Sequence, residues 1–490
     1  VSSPVNIVIL AAGLGKRMHS ARAKVLHTLA GRPLIAYVLE RMRELAPHAL
    51  VVVTGAGAAE VEAVVAAPDV RFVRQDPPQG TGDATRKALD MLPDDGVTLV
   101  GLGDVPLVPV DALCELIATA RRGKLSVLTA RVADPRGLGR IVRAADGRVQ
   151  AIVEDRDANA DQRAQNEINT GFIAAPTRLL RQWVARLKPH NAQSEYYLTD
   201  VVAMAIGEGI EAVAHVAREE SEVLGVNDRA QLATLERIVQ NRRARALMDA
   251  GTTLADPARI DIRGSLACGR DVHIDIGCVF EGVVRLGDQV SVGPYCVLKD
   301  VTIGDGTEIA PYSHLDGATV GAHARIGPYA RLRPGTSLAD DVHVGNFVEI
   351  KASTLGAGSK ANHLAYIGDA SVGARVNYGA GSITANYDGA NKHKTVIGND
   401  AQIGSNSVLI APVEVGAGAT IGGGSAIAQN APPGELTLAR ARQVTVAGWQ
   451  RPKKGEKPRS EKPGERRSPK AASAAEASEA PAAVKHEPAD

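Results

Sequence analysis

Aromatic residues make up only 3% of this 490-residue sequence, and it has no long apolar run. Few rings suit thin coils and alternating αβ layers, which leave little room for them. The opening residues 1–10, Val-Ser-Ser-Pro-Val-Asn-Ile-Val-Ile-Leu, lack a basic start and are too short an apolar stretch for a signal peptide or a membrane span. A cytoplasmic protein with no membrane span is the expectation. Charge of one sign is missing too: 56 lysines and arginines against 55 aspartates and glutamates leave a net charge of +1. That balance excludes a global field for nucleic acid or membrane, so no nucleic acid is expected and partners should be recognised locally. The 4 cysteines, Cys114, Cys268, Cys278 and Cys296, have neither the number nor the spacing of a disulfide framework or a zinc site. They read as buried or incidental thiols.

Against these absences stands a hydrophobic content of 44%, ample for packed cores, and a length beyond what one core usually fills. Two domains plus extras follow. The second half carries a six-residue beat. Aliphatic residues recur at Val320, Ile326, Leu332, Leu338, Val344 and Ile350, drift through Leu355, Ile367 and Val372, and resume at Ile397, Ile403, Leu409, Val415, Ile421 and Ile427. A small or β-branched residue stands four further on, at Ala324, Ala330, Thr336, Val342, Val348, Thr354, Ala401, Ser407, Val413, Ala419, Ser425 and Ala431. Looser precursors are Leu286, Val292 and Leu298. Period six fits neither a 3.6-residue helix nor a two-residue alternation, but it does fit short strands joined by tight corners, the hexapeptide pattern of a parallel β-helix. The glycines after the aliphatics, such as Gly345 and Gly404, permit corners that a larger side chain would obstruct.

In the first half, Asn6 to Leu10 reads as a buried strand that runs into Ala11-Ala12-Gly13-Leu14-Gly15-Lys16-Arg17-Met18. A strand, a Gly-rich turn and a basic residue bring backbone N–H groups against phosphates. The stretch is neither GxGxxG nor a Walker A loop. Ile/Val-rich segments near 49–53, 97–101 and 126–130 alternate with helical patterns at 34–45 and 84–92, which implies a largely parallel sheet with ligands beyond the carboxyl ends of its strands. Two polar stretches fall there, Gln75-Asp-Pro-Pro-Gln-Gly-Thr-Gly82 after the strand 70–73 and Gly103-Asp104-Val-Pro after 97–102. An aspartate at a strand end is as often a helix cap as a ligand, but beside a phosphate loop it suits Mg²⁺. The helical stripe Leu232, Leu235, Ile238, Val239 and Leu247, ended by Gly251, reads as an arm between two domains.

The stretch LAAGxGxRM followed by Lys24 resembles the sugar-phosphate nucleotidylyltransferases, with Ala23 in place of their usual proline. Residues 191–200, Asn-Ala-Gln-Ser-Glu-Tyr-Tyr-Leu-Thr-Asp, match the family's NAQxEYYLTD, although a capped helix start would look similar. Together with Arg333-Pro-Gly, Val348-Glu-Ile-Lys351, His363-Leu-Ala-Tyr366 and Asn386-Tyr-Asp-Gly389, the pattern over residues 5–452 resembles the bifunctional glucosamine-1-phosphate N-acetyltransferase/N-acetylglucosamine-1-phosphate uridylyltransferase family. The resemblance implies a Rossmann-like α/β nucleotidyltransferase with a mostly parallel sheet, followed by a left-handed parallel β-helix of hexapeptide repeats. Expected boundaries are 1–227 for the uridylyltransferase domain, 228–251 for the helical arm, 252–449 for the acetyltransferase β-helix and 450–490 for a solvated, disordered tail.

The resemblance further implies Mg²⁺ as cofactor, held by Asp104 and Asn227, with Arg17 and Lys24 acting on the phosphates. UTP or UDP-sugar would meet Leu10, Ala11, Ala12, Gly13, Lys24, Gln75, Gly80, Thr81, Gly103, Asp104, Gly139, Glu154, Asn169, Gly171 and Asn227. Gln79, Leu102 and Leu138 depart from the family's leucine, tyrosine and tyrosine.

In the second half, the segment Ala385 to Val396 reads as a twelve-residue insertion in the repeat, and a loop ejected from a prism is usually functional. An amine attacks a thioester only as free NH₂, and histidine is a side chain suited to take its proton, so His363 is the candidate base, with Glu349 a candidate to orient its ring. By resemblance, glucosamine 1-phosphate would be held by Arg333, Lys351, Tyr366, Asn377 and Lys392, and acetyl-CoA by Ala380, Asn386, Tyr387, Ser405, Gly423 and Arg440. Substrates would be glucosamine 1-phosphate, N-acetylglucosamine 1-phosphate, UTP and acetyl-CoA, and relatives imply a homotrimer with shared acetyl sites. Two other readings remain: a single-activity nucleotidylyltransferase with a structural or regulatory β-helix, and a non-catalytic hexapeptide scaffold.

Overall fold

The strand Val5–Leu10 sits at the centre of the first half, parallel to both Ala49–Thr54 and Val97–Leu102. The computed structural model describes residues 3–13, 15–451 and 454. Across this sheet the strand order is 212–216, 125–131, 167–176, 97–102, 5–10, 49–54 and 70–74. Only Glu167–Pro176 runs antiparallel to its neighbours on this path. Side chains alternate along Val5–Leu10, so Ile7 and Ile9 enter one core and Val8 and Leu10 the other. The helices Leu34–Glu44 and Val110–Arg121 cover the first face, while Thr81–Leu89, Thr177–Ala185 and Asp200–Gly207 cover the second. The result is the three-layer α/β arrangement that the alternating pattern predicts.

From Thr253 onward the chain winds into a prism of stacked parallel strands. Inward partners lie one coil apart, as in Ile309 to Ile326 and Ile326 to Val344, so a coil takes 17 or 18 residues. All fifteen aliphatics of the six-residue beat, from Val320 to Ile427, are buried in one continuous core. The small-residue series holds except at one place: Thr354 is exposed and Ser353 takes the inward position, because the beat shortens by one between Ile350 and Leu355. The glycines act by proximity to the next coil, since a Cβ on Gly345 would lie 2.0 Å from the Asn362 carbonyl oxygen.

Positive φ at the corners falls largely to other residues, among them Tyr295, Tyr312, Tyr329, Phe347 and Leu364. Four of these rings stack in a column with centroids 5.3, 5.0 and 5.3 Å apart. These four rings are thus displayed outside the thin coils, whereas Phe280 and Tyr378 are buried in the prism core. The insertion is shorter than the sequence suggests: Ala385 belongs to the strand Ile383–Ala385 and Val396 to Thr395–Ile397, leaving 386–394 outside the coil. Tyr378 and Ile403 are nevertheless 25 residues apart across that coil.

The helix Arg229–Asp249 joins the two halves, with Asp228 capping its start by accepting from Gln231 N–H. Its apolar stripe divides between two cores. Leu235 and Val239 pack with Met18, Leu29 and Leu34, whereas Ala244 and Leu247 close the end of the prism core. Gln240 is fully buried there: its amide accepts from Ile262 N–H at 2.8 Å and donates to Ile262 C=O at 3.0 Å. A side-chain amide therefore stands in for the peptide group of a coil that the prism does not have.

A compact unit covers Val1–Arg440 and a second covers Ala441–Asp490. The last prism strand is Leu436–Thr437. In the second unit Val444, Val446 and Trp449 are exposed, and the tail expected over 450–490 lies, apart from residues 450, 451 and 454, outside the described residues. No helix among the described residues is long and apolar enough to cross a membrane. Replacing Gln240 by Leu should lower unfolding stability by about 1–3 kcal/mol by stranding the Ile262 N–H, measured as a lowered denaturant midpoint at unchanged slope. An unchanged midpoint would show that the amide bridge carries no weight.

Candidate functional site

Residues from three separate stretches meet beyond the carboxyl ends of the central strands. Gly103 N–H donates to Leu10 C=O at 2.9 Å and Ala11 N–H to Val53 C=O at 2.8 Å, which sets the first loop beside the aspartate that follows. Gly15 has φ 57°, and a Cβ there would come within 2.8 Å of Lys24 Cβ, so only glycine lets the loop close over the lysine. Lys24 Nζ contacts Asp104 Oδ2 and lies 3.3 Å from Asn227 Oδ1. Asn227 is brought in by its neighbour, since Val226 N–H donates to Asp104 C=O at 3.1 Å. One carboxylate and one amide oxygen thus converge on a cation. These hard oxygens beside the Gly-rich loop fit Mg²⁺, which is held by few protein ligands plus substrate phosphates. Among the described residues no group of three or more His, Cys, Asp or Glu side chains forms a fuller cage. Arg17 sits exposed on the short turn Lys16–Met18.

The base and sugar candidates follow along the same edge. Tyr196 N–H donates to Gln79 C=O, Gly82 N–H to Tyr196 C=O, and Leu198 N–H to Thr81 Oγ1, at 2.8, 2.8 and 3.1 Å. The 191–200 segment is therefore a brace for the Gly80–Thr81 loop as well as the lead into a helix. Thr199 donates to Glu154 Oε1 at 3.1 Å, and a Cβ on Gly139 would lie 3.3 Å from that carboxylate. Burial raises the Glu154 pKa, and nearby carboxylates add to it while the Thr199 hydroxyl opposes. Asn169 N–H donates to Gly139 C=O at 2.8 Å, just where the strand Glu167–Pro176 breaks register between Asn169 and Ile173. Gly171 has φ 86° in that bulge, and a Cβ on it would collide with Leu102 at 2.5 Å. Buried Arg140 ties this region together through Leu138 C=O and Asp155.

On the prism, stacking sorts the second set of residues into columns. Asn346 lies directly below His363, with Asn346 Oδ1 2.9 Å from His363 Nδ1. Ala380, Ser405 and Gly423 continue the same corner upward: Gly381 N–H reaches His363 C=O, Asn406 N–H reaches Ala380 C=O, and Gly424 N–H reaches Ser405 C=O. Arg440 Nη1 donates to Gly423 C=O at 3.2 Å, which adds it to the column. Glu349 stands elsewhere. It accepts from Arg333 Nη1 at 2.8 Å and pairs in register with Arg331 and Tyr366, so Asn346 orients the His363 ring and Glu349 does not. The reason is geometric, because Glu349 is on the face that begins after the corner where His363 sits.

Across that face, Lys351 Nζ lies 3.5 Å from Asp369 Oδ2, and Asn386 Nδ2 donates to Asp369 Oδ2 at 2.5 Å and to Tyr366 Oη at 3.4 Å. The 386–394 loop folds back through an antiparallel bridge between Tyr387 and Lys392. Close approach of Lys351 lowers the Lys392 pKa. Asn377 is not among these residues, for it lies with Lys360 and Gln402 on the preceding face. Asn346 and Asp369 were the residues missed; both stand one coil from a named residue, and coil arithmetic from His363 or Lys351 would have found them.

The chain matches the MobA-like NTP transferase domain over residues 7–254, the GMPPB C-terminal domain over 262–361 and the bacterial transferase hexapeptide repeat over 394–429. It is 57% identical over 458 residues to the Bifunctional protein GlmU of Methylibium petroleiphilum, covering 92% of this chain and 99% of that protein. The protein of the same name from Ralstonia nicotianae is 57% identical over 453 residues, with 92% and 100% covered, and that from Bordetella parapertussis 56% over 455 residues, with 92% and 99%. A nucleotidyltransferase half and a hexapeptide half thus stand in one order along chains matched almost end to end, and this chain belongs to the family of bifunctional GlmU proteins.

Proposed function

We propose that the chain carries out two consecutive steps of UDP-N-acetylglucosamine synthesis, acetyl transfer on the prism and uridylyl transfer at the sheet edge. One observation carries this reading: a single chain sets Lys24 on Asp104 at the sheet edge and, far along the sequence, Arg333 and Lys351 on the prism face that begins after the His363 corner.

In the first step the amine of glucosamine 1-phosphate attacks the thioester carbonyl of acetyl-CoA, and the CoA thiol leaves. Asn346 is an acceptor at Nδ1, so it fixes the tautomer that leaves Nε2 free to take the amine's proton. Arg333, Lys351 and Lys392 hold the phosphate, with Glu349 aligning Arg333. Tyr366 and Asn377 receive the sugar. Ala380, Ser405, Gly423 and Arg440 line the path of CoA up the corner column, and Asn386 and Tyr387 stand near the reacting carbonyl.

In the second step a phosphate oxygen of N-acetylglucosamine 1-phosphate attacks the α-phosphorus of UTP, and pyrophosphate leaves. Two unit charges 4 Å apart repel by about 4 kcal/mol at an effective dielectric near 20, so cations must offset the approach of two anions. Lys24, Arg17 and the N–H groups of the Leu10–Gly13 loop supply that field, while Gln75, Gly80 and Thr81 meet the base and Gly139, Glu154 and Asn169 the sugar. Bound between Asp104 and Asn227, Mg²⁺ would neutralise phosphate charge.

Assembly is part of the same reading. Tyr295, Tyr312, Tyr329 and Phe347 are 48%, 49%, 48% and 56% exposed, an apolar stripe that leads along one corner to Leu364 and His363. Such a stripe is costly to leave in water. Asn377 and Tyr366 stand on different faces of one prism, which favours a homotrimer whose neighbouring prisms complete each acetyl site.

A coupled assay with glucosamine 1-phosphate, acetyl-CoA and UTP tests the assignment. His363→Ala should lower acetyl transfer by at least about a hundredfold and spare uridylyl transfer, while Asp104→Ala should do the reverse; loss of neither or of both would sink it. Asn346→Ala should lower kcat for acetyl transfer about tenfold at nearly unchanged KM, against no change if the ring is oriented otherwise. Light scattering should give three copies, and fully active monomers would refute the shared site.

A further inference from the structure

The side-chain amide of Gln75 is held in one orientation. It is 4% exposed, its Nε2 donates to Gly80 C=O at 3.0 Å and to Asp83 Oδ2 at 2.9 Å, and both partners are acceptors. An amide with its NH₂ between two acceptors cannot be turned round without facing oxygen to oxygen. Among the described residues no hydrogen bond engages Oε1, so the group that Gln75 has left for a ligand is an acceptor.

Asp83 enforces this. It is 1% exposed, lies in the first turn of the helix Thr81–Leu89, and its other oxygen pairs with Arg86, whose guanidinium in turn sits 5.3 Å over the Tyr196 ring. With one oxygen taken up by the Arg86 guanidinium, the other carboxylate oxygen of Asp83 faces Gln75 as an acceptor. The Gly80 carbonyl alone is a weaker lock, because a loop peptide can rotate. The brace from the 191–200 segment keeps that loop in place, but the acceptor-only character comes from Asp83.

We propose that Asp83 is the positioning residue that sets base choice in the nucleotide site, by turning the Gln75 acceptor toward the base. A fixed acceptor suits the N3–H of uracil, which donates. It opposes cytosine, whose N3 carries a lone pair, and an unpaired polar contact in a closed site discriminates strongly. The same lock admits thymine, whose N3–H is identical. This inference rests on the reading of Gln75 as the residue that meets the base.

The test is the ratio of kcat/KM for UTP over CTP in transfer to N-acetylglucosamine 1-phosphate, with acetyl transfer by the same preparation as the measure of folded protein. Asp83→Asn keeps the shape but brings an NH₂ that can donate to Gln75 Oε1 and reverse it, so the ratio should fall about tenfold. Asp83→Glu retains an acceptor-only carboxylate and should keep the ratio above that of Asp83→Asn, including when the asparagine variant proves unstable. Gln75→Ala should abolish the preference. A lowered ratio in Gln75→Ala with the native ratio in Asp83→Asn, or a ratio in Asp83→Glu as low as in Gln75→Ala, overturns the role of Asp83. The native ratio in Gln75→Ala overturns instead the reading of Gln75 on which it rests.

Discussion

Stacking of parallel coils is the constraint on which the prism and its chemistry depend. Each coil hydrogen-bonds to the next, so a side chain at any position has its counterpart one coil away as a neighbour. Inward, this makes a column of aliphatics from Ile309 through Ile326 to Val344. Outward, the same geometry makes columns of rings and of polar side chains. His363 meets Asn346 for the reason that Tyr312 meets Tyr329. The repeat thus does more than support the site, because its period decides which residues touch.

The sheet half obeys a different rule. Parallel strands end together at their carboxyl edge, and the loops that leave them carry Lys24, Gln75 and Asp104. Precision there comes from bracing between loops: Gly15 against Lys24, Tyr196 against Gly80 and Gly82, Asn169 against Gly139. The arm helix links the two rules. Its first turns bury Leu235 and Val239 in the nucleotidyltransferase half, and its later ones put Gln240 and Ala244 on the first coil. Helix and prism end are joined through hydrogen bonds as well as apolar contact, so the arm acts as a cap on the prism core.

Much of this was written in local patterns. The six-residue beat foretold a buried column, and every aliphatic named in it is buried. Where the pattern weakened, so did the reading: Thr354 faces out because a 17-residue coil shifts the small position to Ser353. Glu349 was a candidate to orient the His363 ring, whereas the corner at Phe347 and Leu364 puts Glu349 round on the next face. Asp83 carried no motif, and its contact with Gln75 arises from a loop that folds back over eight residues.

What the sequence determined by itself was periodic or covalent: the prism, the layered sheet, the order of the two halves and the residue types needed to handle phosphates and an amine. These follow from the spacing of apolar groups, which is read along the chain. Only the tertiary structure decided who touches whom, which oxygen faces Lys24, which amide holds His363 and which way Gln75 points. Those contacts depend on the exact number of residues per coil and on loops meeting across the sheet edge. A shift of one residue changes a partner without changing the pattern.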